Sequence, residues 1–306
     1  MAGKTFSGRR SLGKAAERVR PGTLLLGAHL SIAGGCHRAV ERGEALGCTA
    51  VQIFTKNQVQ WRAKPLTAAD VERFRSVFLP KSGVKIVCAH GSYLYNLASP
   101  SRGLAGKSVS GVLDELDRCD RLGLPYLVIH PGSHRGEGET AGVERVVKAL
   151  AAVLDRYRGG GIVCLETTAG QGSSLGWDFR QIGRIIRSIG DPRVGACLDT
   201  CHVFAAGYDI RTKMSYRSTI GRFAEEVGID RLKVIHLNDS RGGLGSRLDR
   251  HTHIGRGEIG LDAFSFFLQD RRFKNVPKVI ETPKMYKGRE MDGKNLRILR
   301  KLAGSG

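Results

Sequence analysis

The chain alternates between short apolar runs and longer segments with a helical period. Eight runs rich in β-branched and aliphatic residues recur roughly every 25 to 40 residues, the span of one strand–helix unit. They cover 24–29, 50–54, 84–90, 126–130, 161–166, 195–199, 233–237 and 278–281. Between them, apolar residues three and four positions apart predict amphipathic helices, most clearly at 109–124, 142–157 and 178–190.

Eight strands that alternate with helices predict an α/β fold with a parallel sheet. Eight is also the number of strands that closes a (β/α)₈ TIM barrel, and 306 residues suit that fold. An open, doubly wound sheet is the alternative, but the first run continues as GAHLSIAGG and lacks the G-x-G-x-x-G phosphate loop. We therefore expect a TIM barrel.

The first 22 residues differ in composition from the rest of the chain. Six lysines and arginines stand there against one acidic residue, Glu17, with few apolar residues. We expect residues 1–22 to form a basic, disordered arm and residues 23–303 to form one barrel domain. The arm has no apolar core of the secretory type; an organellar transit peptide is the alternative.

The composition predicts a soluble protein that binds a polyanion. No apolar run reaches the ~18 to 20 residues of a membrane span. Forty-nine Lys and Arg against 29 Asp and Glu give a net charge of +20, which favours nucleic acid as the partner. Seven scattered cysteines without a C-x-x-C pair indicate a reducing compartment. We expect the protein to lie in the cytoplasm, at the nucleoid in a prokaryote, or in the nucleus or an organelle in a eukaryote.

Six of the eight predicted strands end on, or within three residues of, a metal-type ligand. The residues are His90, His130, Glu166, Asp199 with His202, His236 and Glu281. The carboxyl ends of barrel strands meet at one face, where active sites are built. Carboxylates brought so close repel each other unless protons or cations intervene. The pattern therefore predicts a metal site at the carboxyl ends of the strands.

A further pair of ligands enlarges this site. Asp249 and His251 lie two residues apart in a loop, and Asp199 and His202 lie three apart across a tight turn. Histidine mixed with carboxylate suits Zn²⁺ or Mn²⁺. His29 ends another strand and is expected to support the ligands. A multinuclear centre in a basic protein indicates cleavage of a phosphate ester.

With these residues in place, the chain resembles the endonuclease IV family of zinc-dependent apurinic/apyrimidinic (AP) endonucleases. The resemblance runs from about Leu26 to Glu281. It rests on the segments GAHLSIAGG, FTKNQVQW, HGSYLYNL, HPGSH, LETTAGQGSSLG, CLDTCHVFAAGYD, HLNDS, GSRLDRHTHIG and IET, in that order.

The resemblance implies three zinc ions, with Mn²⁺ in part of the sites as the alternative. The implied ligands are, for the first ion, His90, His130 and Glu166; for the second, Glu166, Asp199, His236 and Glu281; and for the third, His202, Asp249 and His251. Glu166 and Glu281 are the implied catalytic residues. The implied reaction is hydrolysis of the phosphodiester 5′ to an abasic site in duplex DNA, by a monomer, leaving a 3′-hydroxyl and a 5′-deoxyribose phosphate.

The resemblance also suggests which residues touch DNA. Tyr93 is expected to stack into the gap left by the missing base, and Arg250 to contact phosphate. Lys56, Asn57 and Gln58 follow the second strand and are expected to contact backbone or groove. The chain departs from the family pattern at Val59, where relatives commonly carry arginine, and at Gly91, where aspartate is frequent.

Two other functions are kept open. A metal-dependent sugar isomerase or epimerase on a related barrel would explain Glu166, Asp199, His236 and Glu281. It would explain neither the set of His202, Asp249 and His251 nor the positive charge. A DNA-binding protein with a vestigial metal site is the second. All nine ligand positions hold residues that can bind metal, which argues against it.

Overall fold

The structure is a computed structural model that describes residues 22–78 and 82–304. Apart from Gly22, the basic arm expected at residues 1–22 lies outside the described residues. Its disorder, and the division of the chain at residue 23, stay predictions. Among the helices that the structure describes, none is both long enough and apolar enough to cross a membrane.

All eight apolar runs form strands of one closed parallel barrel, which confirms the predicted fold class. From the first barrel strand to the last, the strands in chain order are β1 (Leu26–His29), β2 (Ala50–Phe54), β3 (Ile86–His90), β4 (Tyr126–Ile129), β5 (Ile162–Glu166), β6 (Val194–Asp199), β7 (Leu232–His236), β8 (Asp239–Ser240), β9 (His251–Thr252) and β10 (Lys278–Ile280). The barrel order is β1-β10-β7-β6-β5-β4-β3-β2, while β8 and β9 form a separate antiparallel pair.

Helices connect the barrel strands. They are α1 (Cys36–Ala45), α2 (Ala68–Phe78), α3 (Arg102–Leu122), α4 (Glu139–Arg156), α5 (Phe179–Ile189), α6 (Thr200–Ala205), α7 (Lys213–Glu226), α8 (Leu261–Gln269) and α9 (Asp292–Leu302). Short 3₁₀ turns cover Ile229–Arg231 and Arg271–Phe273. Between β10 and α9, the strands β11 (Met285–Tyr286) and β12 (Arg289–Glu290) form an antiparallel hairpin.

Local signals explain where the helices begin and end. Asp178 accepts a hydrogen bond from the backbone of Arg180 at the start of α5, and Gly190 ends that helix in the left-handed conformation. Helix α3 begins seven residues before its apolar period, because Ser101 caps it at 3.4 Å from the Leu104 nitrogen. Such a cap is worth about 1 kcal/mol.

The core has two layers, as the alternation of a barrel strand requires. The barrel interior is filled by side chains of intermediate size, namely Leu25, Ala50, Ile86, Cys88, Val128, Cys164, Cys197, Val234 and Val279. Their neighbours along each strand, such as Val87 and Ala89, pack outward with the residues of the helices. The barrel is therefore a solid core whose strand ends are free to carry a site.

Candidate metal centre

The carboxyl ends of the strands bring the nine predicted ligands together at one rim. Strands β3, β5, β6 and β7 end on His90, Glu166, Asp199 and His236. The register pairs Asp199 directly with His236 on the neighbouring strand. A third carboxylate, Glu281, immediately follows β10. Residues up to about 190 apart in sequence thus share one site by topology alone.

Glu166 lies at the centre of the group and is fully buried. Its Oε2 atom is 3.1 Å from Nε2 of His90 and 3.0 Å from Nε2 of His130. Its other oxygen, Oε1, is 2.8 Å from Nδ1 of His236. One carboxylate therefore faces two sets of histidines, the geometry of a bridging ligand.

The surroundings of Glu166 keep it ionised. Burial alone would raise the pKa of this carboxyl, but the neighbouring His236 and His130 outweigh burial and hold its pKa well below the usual range. A buried carboxylate without cationic partners would take up a proton instead. The site is therefore built to hold negative charge next to positive charge.

The remaining ligands form two further sets around Glu166. His236 Nδ1 lies 3.2 Å from Glu281 Oε2 and 3.7 Å from Asp199 Oδ2. On the outer side, His202 Nε2 lies 3.1 Å from Asp249 Oδ1 and 3.4 Å from His251 Nε2. Burial opposes ionisation of Asp249, but His202 lowers its pKa to about 2.

The donor atoms are grouped closely enough to hold metal ions. In each of three sets, the atoms lie within 4.8 Å of one another: His90, His130 and Glu166; Glu166, Asp199, His236 and Glu281; and His202, Asp249 and His251. Two other sets include Cys197 and Cys201. Burial raises the pKa of each of these thiols to about 12, so both are neutral near pH 7. The three predicted sets consist of imidazole and carboxylate donors alone.

The centre is buried at its base and open at its mouth. Glu166, Asp199 and His236 are fully buried, whereas the side chains of His130 and Asp249 are 32% and 41% exposed. A polar cleft of about 370 Å³ adjoins the open side, and both exposed ligands line it. A substrate phosphate can reach these two ligands through that cleft.

Each of three buried histidines is held by one ring nitrogen, which leaves the other nitrogen facing the centre. The contacts are His90 Nδ1 to the Gly91 carbonyl at 2.8 Å, His202 Nδ1 to the Thr167 carbonyl at 2.8 Å, and His236 Nε2 to Gln52 Oε1 at 2.9 Å. Such outer partners fix the tautomer and orientation of metal-binding imidazoles.

Sequence reasoning missed two amides that organise the ligands. Gln52 donates from Nε2 to Glu281 Oε1 at 2.6 Å. Asn238 donates to Asp199 Oδ2 at 2.6 Å, and its Oδ1 accepts from the Glu281 backbone nitrogen at 2.7 Å. Two signals were available in the sequence: an amide inside the apolar run AVQIF, and a second amide at the position two residues after His236.

Two predicted supporting positions can be located. His29 lies 3.1 Å from Gln52 Nε2 and 3.6 Å from Glu281 Oε1, outside the ligand sets. At Gly91 a Cβ atom would come within 2.8 Å of the Ile129 side chain. The backbone carbonyl of Gly91 holds His90 there, so no carboxylate is needed at this position.

Of the predicted DNA contacts, Tyr93 lines the cleft, and Asn57, Gln58 and Arg250 are at least partly exposed. Tyr93 is 60% exposed, lines the cleft and packs edge-on against Phe54 with ring centroids 5.5 Å apart. Asn57 is exposed, and Gln58 is half-buried. Arg250 is exposed and donates to the Asp249 carbonyl at 2.7 Å. These residues stay predicted DNA contacts.

Lys56 requires a correction. Its side chain is buried, with Nζ paired to Asp114 and 3.9 Å from Glu115. A buried ammonium needs such carboxylates. The sequence around Lys56 does not reveal them, because they lie about 60 residues further along the chain. Lys56 therefore supports the loop from below, and its placement does not support a DNA contact.

Arg135 is a cation that sequence reasoning did not single out. It is exposed, lines the cleft, and has a backbone φ of 52°, a conformation rare for arginine. In the described part of the chain its guanidinium forms no ion pair. It can therefore meet a phosphate at the cleft.

The chain is similar to known proteins over most of its length. Residues 40–302 match a family described as a xylose isomerase-like TIM barrel. A probable endonuclease 4 from Chloroflexus aurantiacus is 47% identical over 280 residues, covering 90% of this chain and 97% of the relative. One from Geobacter sulfurreducens is 47% identical over 279 residues, covering 90% and 94%.

Solved structures agree with these relatives. Endonuclease IV from Thermus thermophilus superposes with a TM-score of 0.81 at 38% identity, covering 92% of this chain and 99% of that one. A D-tagatose 3-epimerase-like protein reaches a TM-score of 0.69 at 16% identity, covering 91% and 97%. At that identity the second likeness shows the barrel fold alone.

Proposed function

Because this chain belongs to the endonuclease IV family, we propose that it hydrolyses the phosphodiester 5′ to an abasic site in duplex DNA, using three metal ions. The chain is a DNA-cleaving enzyme of the AP endonuclease type. Water is added across the bond between phosphorus and the 3′ oxygen, which leaves a 3′-hydroxyl and a 5′-deoxyribose phosphate.

One observation carries this proposal: the set of His202, Asp249 and His251 adjoins the two sets that share Glu166. His202 Nδ1 lies 3.4 Å from Glu166 Oε1, so the outer set is continuous with the inner ones. A sugar isomerase or epimerase would need only the inner carboxylates and His236. It would leave the outer set and the net charge of +20 without a purpose.

The donors fit zinc. Imidazole and carboxylate in sets of three or four suit Zn²⁺, with Mn²⁺ as the alternative in part of the sites. Glu166 would bridge the first two ions, and the outer set would hold the third. When bound, such a cluster supplies an activated water at neutral pH and positive charge for the oxygens of the reacting phosphate.

The protein's own residues keep this centre in place. Gln52 and Asn238 hold the carboxylates of Glu281 and Asp199, so both stay oriented toward His236. Glu166 is the residue we expect to be indispensable, since it alone faces both inner sets. Glu281 is the second proposed catalytic residue, because it lies at the edge between the buried base and the solvent, 14% exposed.

Residues of the cleft are proposed to select the damaged site. A nucleotide that lacks its base is the cheapest to turn out of the duplex. Tyr93 is exposed, and its ring centroid lies 6.2 Å from that of His130. Its ring can stack into the gap left by the missing base. Val59 is 63% exposed where relatives commonly carry arginine, and it offers an apolar wedge instead of a charge.

The setting of the enzyme follows from its substrate. An enzyme that acts on DNA works where DNA is kept, which fits the predicted location: the cytoplasm at the nucleoid in a prokaryote, or the nucleus or an organelle in a eukaryote. We also keep the prediction that the chain acts as a monomer.

An incision assay tests this function. Purified, zinc-loaded protein is expected to nick an abasic duplex oligonucleotide on the 5′ side and to leave an end that a polymerase extends. Glu166→Gln should abolish nicking, and Glu144→Gln, an exposed glutamate on α4, should not. Isomerisation of a sugar with the duplex left intact would overturn the proposal in favour of the alternative.

A further inference from the structure

Five exposed cations line one cavity and have no ion-pair partner among the described residues. They are Arg256, Lys287, Arg289, Lys294 and Arg297, which with Tyr286, Met291 and Glu290 line a cavity of about 540 Å³. We call these five cations the hairpin patch. Across the described residues, none of the five forms an ion pair, although Glu290 lies among them. The patch therefore has a large excess of positive charge.

Three segments that are separate in sequence build the patch. Arg256 lies in the loop after β9, Lys287 and Arg289 lie in the β11–β12 hairpin, and the other two cations lie on α9. The Arg256 guanidinium stacks over the Tyr286 ring at 4.3 Å from its centroid. The fold thus gathers these charges at one place, and the aromatic ring orders one of them.

The chain places two of these cations where local structure disfavours them. Lys294 stands in the first turn of α9, the positive end of the helix dipole, where acidic residues are preferred. Lys287 has a φ of 47° and precedes Gly288 at 73°, as in a two-residue hairpin turn that favours asparagine or aspartate at the first position. Unfavourable placement of charge points to a use outside the fold.

Chain connectivity sets an upper limit on the distance between the ligands and two residues that line this cavity, Arg256 and Tyr286. Arg256 follows His251 by five residues, and Tyr286 follows Glu281 by five. Five residues span at most about 18 Å when fully extended. DNA rises 3.4 Å per nucleotide along each strand, so this distance corresponds to about five nucleotides.

We propose that the hairpin patch binds backbone phosphates of the duplex on one flank of the cleaved bond, with Arg256 within about five nucleotides of that bond. This rests on the proposed function, since the ligand is the DNA held at the metal centre. Exposed lysines and arginines without acidic partners are the groups that neutralise phosphates and release counterions. The patch would position the flank of the duplex and carry no information on sequence.

The salt dependence of DNA binding tests the patch. The triple variant Arg289→Gln, Lys294→Gln and Arg297→Gln removes three positive charges. Glutamine is compatible with the helix at the last two positions. The control removes three exposed, unpaired charges at the opposite end of the barrel, through Arg156→Gln, Arg158→Gln and Lys301→Gln. The ligand is a duplex with an abasic-site analogue and a non-hydrolysable 5′ phosphate.

The triple variant should reduce the slope of log affinity against log salt by about 2 to 3, one unit per phosphate contact. The control should change the slope by less than about 1. Equal slopes for the triple variant and wild type, or equal losses in both variants, would overturn the proposal.

Lys287→Asn separates binding from folding. Asparagine suits the left-handed position better than lysine, so the melting temperature should stay unchanged or rise while DNA affinity falls. Unchanged affinity in this variant would also overturn the proposal. If wild-type protein nicks no abasic duplex, the proposed function fails, yet the salt slopes still decide whether the patch binds duplex phosphates.

Discussion

The amide oxygen of Gln52 lies 2.9 Å from Nε2 of His236, at the buried base of the metal centre. The same amide donates to Glu281 at 2.6 Å. One neutral side chain from β2 thus orients an imidazole on β7 and a carboxylate after β10. A substitution at Gln52 can therefore disturb two ligands without changing the charge of the centre.

Gln52→Met should weaken metal binding without unfolding the barrel. Methionine has a similar volume but neither accepts from His236 nor donates to Glu281, so both ligands lose their orientation. Loss of such an outer partner typically costs 10–100-fold in metal affinity. Zinc retained during titration with a chelator gives the measurement. Gln60→Met, in an exposed loop, is the control.

Asp239 holds the loop that carries the outer ligand set. Its carboxylate accepts four backbone N–H bonds, from Gly255 at 2.9 Å, Gly257 at 3.0 Å, Ser240 at 2.9 Å and Ile259 at 3.2 Å. Asparagine can accept at only one of its two ends, so Asp239→Asn should leave buried N–H groups unpaired. The expected cost in the free energy of unfolding is about 1–3 kcal/mol.

The same variant should lose the metal of the outer set first, because β8 and β9 pair Ser240 with His251. Metal analysis after dialysis should show one ion fewer per chain than in wild type. Asp230→Asn, on an 83% exposed side chain, should retain all the metal. Full retention in Asp239→Asn would show that the loop does not depend on this carboxylate.

Tyr93→Ala should weaken binding of abasic duplex with little change in kcat. Stacking of an aromatic side chain on nucleic acid contributes about 1–3 kcal/mol, or roughly 5- to 150-fold in affinity. Tyr93→Phe keeps the ring and should bind nearly as wild type. If the alanine and phenylalanine variants bind equally, the exposed ring has no stacking role.

Lys278 predicts a pH dependence of folding stability. Its ammonium is buried and donates to the carbonyls of Phe273 at 2.6 Å and Val276 at 2.9 Å. Burial lowers the pKa of Lys278 to about 8, whereas the unfolded chain keeps an ordinary value near 10.4. Between these values the unfolded state binds more protons, so the contribution of Lys278 to stability rises with pH.

Comparison with Lys278→Met isolates this contribution. The stability of wild type relative to the variant should increase by about 2–3 kcal/mol between pH 7 and pH 10.5. Denaturant unfolding at several pH values measures it. A difference that stays constant over this range would mean that the amine keeps its ordinary pKa in the folded protein.

The sequence predicted the barrel well because its strands are continuous apolar runs. The run AVQIF coincides with β2, and YLVIH, GIVCLE and GACLD differ from their strands by one residue at an end. Parallel topology then placed the strand-end ligands on one rim without any knowledge of side-chain positions. The apolar period did not predict a helix where the sequence is polar, as in the first seven residues of α3.

The supporting contacts could not be predicted from local patterns, because they join distant parts of the chain. Gln52 and Glu281 are 229 residues apart, and the carboxylates that pair with Lys56 lie on α3. Nothing near Lys56 in the sequence distinguishes a buried lysine from an exposed one. The hairpin patch was hidden for the same reason, since it unites three segments only after folding.

Nine side chains are proposed to hold three metal ions in one cluster. An anomalous difference map from crystals of zinc-loaded protein, collected at the zinc edge, tests this cluster directly. Three peaks are expected, each at about 2.0–2.2 Å from the imidazole and carboxylate atoms of one set. Fewer than three peaks, or none between His202, Asp249 and His251, would contradict the proposed cluster.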